Sequence, residues 1–275
     1  MTVERDVRLT DGRLLRTYDS GGDGFTILWH HGSPQTGVPL VPLLAAAAER
    51  ELRLLSYARP GYGGSTPSPG RDVASAASDV GQLADALGVD RFAVMGASGG
   101  GPHVLACAAL LPGRVMGAVC LASPAPFADD FDWSAGMRSP GGLLAATKGR
   151  DARAHYAASD EFDPDNFTEA DWAALAGTWS SLGADAQLAG GAGPGGLIDD
   201  DVAFAGPWGF DLSAVTAPVL LVQGGEDRVI PPAHADRLLP RLRRAELWLR
   251  PGDGHVSVLD ACAPAMDWLH THTHP

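Results

Sequence analysis

The chain has 275 residues, 45% of them hydrophobic, and a formal net charge of −13. That length suits one large domain with an insertion, no apolar run is long enough to span a membrane, and the absence of a basic stripe leaves no electrostatic footprint for nucleic acid. The acidic surface also repels strongly anionic substrates at long range. From the N-terminus, residues 3–9 and 14–18 alternate apolar and polar around Asp11-Gly12, a hairpin signal. Strand patterns at 25–30, 53–57, 92–96 and 115–121 then alternate with helical patterns within 38–50, at 73–87 and at 104–111, the order of a doubly wound sheet. At Ser123-Pro124-Ala125-Pro126 the alternation stops. From there to about residue 209 no apolar run reads as a strand, and helical stretches fall near 141–159 and 168–188. Thr168 with Asp171 three residues on is a variant capping box. The glycines of 190–196 suit a flexible rim or hinge. Asp199-Asp200-Asp201 reads as a solvated acidic loop, with a site for a cation or a substrate amine as the alternative. Strands resume at 218–222 and 245–249, and a last helix is expected over 256–269. The tail His270-Thr271-His272-Thr273-His274 reads as a frayed terminus rather than a metal chelate.

Gly96-Ala97-Ser98-Gly99-Gly100 carries the chemistry. It lies between a strand pattern and a helical one, the context a nucleophile elbow requires. A strand that turns at once into a helix strains the residue at the apex and presents its side chain above the sheet, and small flanking residues avoid a clash. The Gly99 N–H then sits at a helix N-terminus, where free donors and the helix dipole favour negative charge. A serine hydroxyl needs a base within hydrogen-bond reach and a group that orients the base. The 218–222 run ends in Gly224-Gly225-Glu226-Asp227, and the 245–249 run ends in Pro251-Gly252-Asp253-Gly254-His255. Strand carboxyl ends share one edge of a parallel sheet, so Ser98, Asp227 and His255 are expected to converge. Glu226, placed before the turn, and Asp253, two residues from the histidine, are the competing carboxylates. The strand at 25–30 leads into His30-His31-Gly32-Ser33-Pro34, which supplies the Ser33 N–H as the second oxyanion-hole donor beside that of Gly99. His30 and His31 read as structural.

Together with Arg59-Pro60-Gly61-Tyr62-Gly63-Gly64-Ser65, these motifs span nearly the whole chain, and in order and spacing they resemble the α/β-hydrolase superfamily. The resemblance implies an α/β fold with about eight strands in a mostly parallel sheet, helices on both faces and a helical cap insertion. It divides the chain into a core of 1–123 and 210–275 and a cap or lid of 124–209, and gives the 59–65 turn a structural role. Haloalkane dehalogenases and epoxide hydrolases of this fold carry aspartate at the apex where this chain has Ser98, which favours acyl chemistry. Proline iminopeptidases have a bulkier elbow than Ala97 and Gly99 provide.

The expected activity is a serine hydrolase acting on a small or medium carboxylic ester through an acyl-enzyme. The same triad also serves carbon–carbon bond hydrolysis, lactone opening, acyl transfer, peracid formation or aminopeptidase chemistry, and a non-catalytic ligand-binding member of the fold is the alternative from another class. No cofactor or metal is called for, and the partner is a small-molecule substrate. Trp133, Trp172, Trp179 and Trp208 fall in the insertion, either as an aromatic roof for the substrate or as packing for a small helical layer. The start Met1-Thr2-Val3-Glu4-Arg5-Asp6 lacks a signal-peptide pattern. Cys107, Cys120 and Cys262, an odd scattered set, read as reduced and structural, so a cytoplasmic location is expected. The oligomeric state is not legible.

Overall fold

The structure, a computed structural model, describes residues 2–273. Its centre is an eight-stranded sheet in the order β1-β2-β4-β3-β5-β6-β7-β8. The strands are β1 (Val3–Arg8), β2 (Leu14–Asp19), β3 (Thr26–His30), β4 (Arg53–Tyr57), β5 (Phe92–Ala97), β6 (Val115–Leu121), β7 (Val219–Gly224) and β8 (Ala245–Arg250). β1 and β2 form the antiparallel hairpin turned at Gly12, whose φ is 90°. β2 also runs antiparallel to β4, and all other pairings are parallel.

The central strands are apolar on both faces because helices cover both. On one side Phe92 and Val94 of β5 join a core with Val80 and Leu83 of α2 (Ser75–Ala86) and Val104 and Leu105 of α3 (Gly101–Leu110). On the other, Ala93 and Met95 pack with Leu43 of α1 (Val41–Glu49) and Met266 and Leu269 of α10 (Cys262–Thr273). The edge strand β1 is mostly exposed and carries Glu4, Arg5 and Asp6, charges that discourage pairing with another sheet.

Chain order places the functional edge. After β3 the chain moves outward to β4, then crosses back so that β5 lies on the other side of β3. The carboxyl ends of β3 and β5 therefore flank the point where strand order reverses, the place where open α/β sheets bind ligands. Between β6 and β7 comes a helical insertion: α4 (Gly141–Ala146), α5 (Arg150–Ala157), α6 (Glu169–Ala176), α7 (Ser180–Gly191) and α8 (Gly195–Ala205). A short α9 (Ala233–Leu238) follows β7.

Several local expectations need correction. The helical stretch 141–159 is two helices, broken where Gly149 takes a φ of 100°. The stretch 168–188 is likewise two, because α6 ends at Gly177. The glycines of 190–196 do not form one hinge: Gly190 and Gly191 close α7, and Gly195 and Gly196 open α8. The last helix begins later than residue 256. Ser257–Ala261 forms a 3-10 turn, held by side-chain hydrogen bonds described below, and α10 starts at Cys262 with Pro264 in its first turn, where proline is tolerated. His270 and His272 belong to that helix and not to a frayed end. The His272 ring stacks on Trp268 with centroids 4.2 Å apart. His274 of the same tail lies outside the described residues. The three cysteine thiols are buried and free, and burial pushes each up.

Candidate active site

Ser98 follows β5 directly and has a φ of 51°, a left-handed conformation costly for a side-chain-bearing residue. Its flanking glycines are steric requirements. A Cβ on Gly96 would lie 2.9 Å from the His30 carbonyl oxygen and 3.0 Å from Val104 Cγ2, and one on Gly100 would overlap the same carbonyl. The turn is thus pressed against the end of β3.

His255 sits beyond the end of β8, and Asp227 in the loop after β7. His255 Nε2 is 3.0 Å from Ser98 Oγ, and His255 Nδ1 is 2.8 Å from Asp227 Oδ2. Asp227 Oδ1 accepts the N–H groups of Val229 and Ile230, both at 2.8 Å. One carboxylate oxygen is fixed by backbone, and the other meets the imidazole and, at 3.4 Å, accepts from the Gln223 amide. Burial alone would lower the pKa of His255, but the charge and hydrogen bond of Asp227, with the charge of Asp171, outweigh it, and the net shift is upward. Glu226 is exposed, and the imidazole bonds to Asp227 instead. The Asp253 carboxylate pairs with Arg250, and its carbonyl accepts the Glu226 N–H at 2.9 Å, so Asp253 shapes the loop.

The Ser33 loop lies against the elbow. A Cβ on Gly99 would overlap Ser33 Oγ, so only glycine permits this approach. The Ser33 N–H makes no hydrogen bond among the described residues. The Ser33 hydroxyl donates to Asp200 Oδ2 at 2.7 Å and accepts from Arg59 Nη2 at 2.8 Å. His30 and His31 are buried. His31 Nε2 accepts the Arg59 N–H at 3.1 Å, leaving Nδ1–H to donate to the Gly32 carbonyl at 2.6 Å, which fixes a neutral ring. Burial, reinforced by the Arg59 charge, holds its pKa well below the ordinary histidine value.

The acidic run corrects the sequence reading most sharply. Asp199, Asp200 and Asp201 are not a solvated loop but buried residues of α8, and each is paired with arginine. Asp199 pairs with Arg150 at 2.7 Å, Asp200 with Arg59 at 2.8 Å and Arg71 at 2.7 Å, and Asp201 with Arg153 at 2.7 Å. Asp200 also accepts from Tyr62 Oη at 2.9 Å. Burial opposes its charge, yet the two guanidiniums hold its carboxyl well below the usual range. Asp201 goes the other way: burial outweighs Arg153 and pushes it up to about 6. The close seat of α8 on the 59–65 turn depends on glycine, since a Cβ on Gly196 would lie 2.8 Å from the Tyr62 ring. Among the described residues no cluster of histidine, cysteine, aspartate or glutamate has the makings of a metal site.

The three site residues Ser98, His255 and Ser33 open into one cavity of about 540 Å³. Its walls are chiefly apolar, with Trp29, Leu40 and Ile230 from around the sheet and Leu143, Phe167 and Phe204 from the insertion. The charged residues on the insertion side are the ion-paired Arg153 and Asp201, with Asp160, Glu161 and Asp163. Of the tryptophans, Trp133, Trp179 and Trp208 are buried packing residues, and none of the four lines the cavity. Trp172 instead meets Phe162 and Phe167 edge-on, and those two phenylalanines do line it.

The carboxyl-edge site, the strand order and the helical insertion define an α/β hydrolase. Residues 26–261 match the alpha/beta hydrolase fold family, and the chain belongs to it. It is 26% identical over 263 residues to a Synechocystis sp. protein assigned to the non-heme chloroperoxidases, covering 92% of this chain and 89% of that one. Among solved structures it is similar to a hydrolase from Pseudomonas aeruginosa PA01, with a TM-score of 0.75 and 20% identity over 97% of this chain and 98% of that one. It is also similar to a thermophilic esterase from Thermogutta terrifontis, with a TM-score of 0.73 and 21% identity over the full length of both. No helix among the described residues is long and apolar enough to cross a membrane.

Two residues that matter to the site were not singled out for it by sequence. Arg59 was read only as part of a structural turn, and Asp171 only as a helix cap. Asp171 is fully buried and accepts hydrogen bonds from the 255–257 backbone. Neither contact leaves a local signal, because each joins segments far apart in the chain.

Proposed function

We propose that the protein is a serine hydrolase that cleaves a small or medium carboxylic ester. The observation that carries this reading is the continuous hydrogen-bonded chain Ser98–His255–Asp227 at an apolar cavity. Ser98 Oγ attacks the ester carbonyl while His255 Nε2 takes its proton. Asp227 holds Nδ1–H and stabilises the imidazolium as it forms. The negative oxygen of the tetrahedral intermediate receives the N–H groups of Ser33 and Gly99; removing one such donor elsewhere costs about 3–4 kcal/mol of transition-state stabilisation. Collapse expels the alkoxide, which His255 protonates, leaving Ser98 acylated. Water then gives a proton to His255 as its oxygen attacks the acyl carbon, and the second tetrahedral intermediate collapses, breaking the bond to Ser98 Oγ, releasing the acid and returning the proton from His255 to Ser98. Residues 124–209 serve as the cap that walls the acyl group from solvent. No step calls for a metal or an organic cofactor.

The test is hydrolysis of a p-nitrophenyl acyl series by wild type and by Ser98→Ala. The expected result is turnover by wild type and none above background by the variant; undiminished turnover by Ser98→Ala refutes the assignment. The chloroperoxidase-named relative favours one second reading, in which hydrogen peroxide replaces water on the same acyl-enzyme and the product is a peracid. Adding peroxide and a carboxylic acid and measuring halide oxidation decides it.

A further inference from the structure

We infer that Asp171, a residue of the insertion, is the positioning residue of His255. This rests on the reading of His255 as the general base. A capping box requires of its N3 carboxylate one hydrogen bond back to the N-cap, and Asp171 Oδ2 provides it, accepting the Thr168 N–H at 3.0 Å. Oδ2 also accepts the Thr168 hydroxyl at 3.0 Å, and the other donors to the carboxylate come from a segment more than eighty residues away. Oδ2 accepts the His255 N–H at 3.2 Å. Oδ1 accepts the N–H groups of Val256 at 2.7 Å and Ser257 at 2.8 Å and the Ser257 hydroxyl at 3.0 Å. Four donors of the histidine loop thus converge on one fully buried carboxylate. Gly254 is what lets it in, because a Cβ there would overlap Asp171 Oδ2.

Helix stability does not account for this arrangement. A cap at the surface would serve α6 equally well, whereas a charge buried among three successive backbone donors fixes their position. The side chain of His255 is held from the core by Asp227, and its backbone is held from the insertion by Asp171. Those two carboxylates are the charged groups that act on the imidazole, and both favour its protonated form. Removing either one therefore lowers the pH at which His255 loses its proton. The insertion is, on this view, part of the catalytic frame and not only a cover.

Asp171→Asn keeps the shape but removes the charge and half of the acceptor capacity. The expected outcome is a kcat lower by up to about 10²-fold, the scale of a small misplacement of a catalytic group, with KM nearly unchanged and the acid limb of the pH profile moved to lower pH. Ala173→Gly weakens the same helix at an exposed position; it should lower Tm and leave kcat and the acid limb where they are. Ser257→Ala removes one donor without touching α6 and should lower kcat in the same direction by less. NMR titration of the His255 ring in the Ser98→Ala background reads the same shift without turnover, so it reports on Asp171 even if no ester is a substrate. An unchanged His255 titration in Asp171→Asn, or an Ala173→Gly protein that loses kcat and shifts its limb in the same way, overturns the inference. Undiminished turnover by Ser98→Ala overturns only the ester-hydrolase reading.

Discussion

At the scale of single residues, His255 is set by two opposed effects. Burial disfavours the imidazolium, but Asp227, 2.8 Å away, and Asp171 together outweigh it, so the pKa of the ring is raised from its ordinary value of 6.5. A general base works only when unprotonated. Activity should therefore be lost as pH falls, with the midpoint of the acid limb of kcat/KM above 6.5; a midpoint well below that value would mean that Asp227 does not act on the imidazole. Asp227→Asn should lower kcat on the order of 10⁴-fold, since an amide cannot hold the required tautomer. The convergence of Ser98, Asp227 and His255 was legible from the sequence because each stands in the turn or loop that follows a strand pattern, and strand ends share an edge. Asp171 was not legible in its second role: the capping box reads from residues 168–171 alone, while its partners at 255–257 come from the other end of the chain.

Among the elements, α8 is the one whose sequence misleads most. Three consecutive aspartates read as a solvated run, since isolated carboxylates are costly to bury. A helix turns about 100° per residue, so the three point in different directions, and arginines from the 59–71 segment and from α5 meet them. Nothing within ten residues of Asp200 announces Arg59 or Arg71. Ion pairs of this kind add little over an apolar alternative, but removing one partner strands the other charge. Asp200→Ala leaves the buried Arg59 guanidinium without its carboxylate, leaves Arg71 only Asp199 at 3.5 Å, and releases the Ser33 hydroxyl. It should destabilise the fold by about 3–5 kcal/mol, measured as a shift of the urea unfolding midpoint at constant slope. A change under 1 kcal/mol, within the range of an ordinary exposed ion pair, would show that the cluster contributes little. Strand and helix alternation was read well because apolar periodicity is local. The breaks at Gly149 and Gly177 were missed because a glycine inside a helical pattern is only a weak stop.

Across the whole molecule, insertion and core are joined by buried carboxylates as well as apolar contacts. Asp185 of α7 accepts the Thr36 N–H at 3.1 Å after β3, Asp200 of α8 takes Ser33 and Arg59, and Asp171 of α6 takes the histidine loop. Each tie lands on a loop at the carboxyl edge of the sheet, so the segments that carry the site are braced from above as well as below. On the proposed mechanism, the reactivity of Ser98 is consequently a property of the folded chain: it needs β5 to strain Ser98, β7 and β8 to deliver Asp227 and His255, and β3 to bring Ser33. The most direct measurement is the site of covalent labelling by an alkyl fluorophosphonate, mapped by peptide mass spectrometry on native and urea-unfolded protein. One adduct, on Ser98, is expected in the native protein, with none after unfolding and a greatly reduced rate in His255→Ala. Labelling at another residue, or labelling of Ser98 at the same rate in the unfolded chain, would contradict the account.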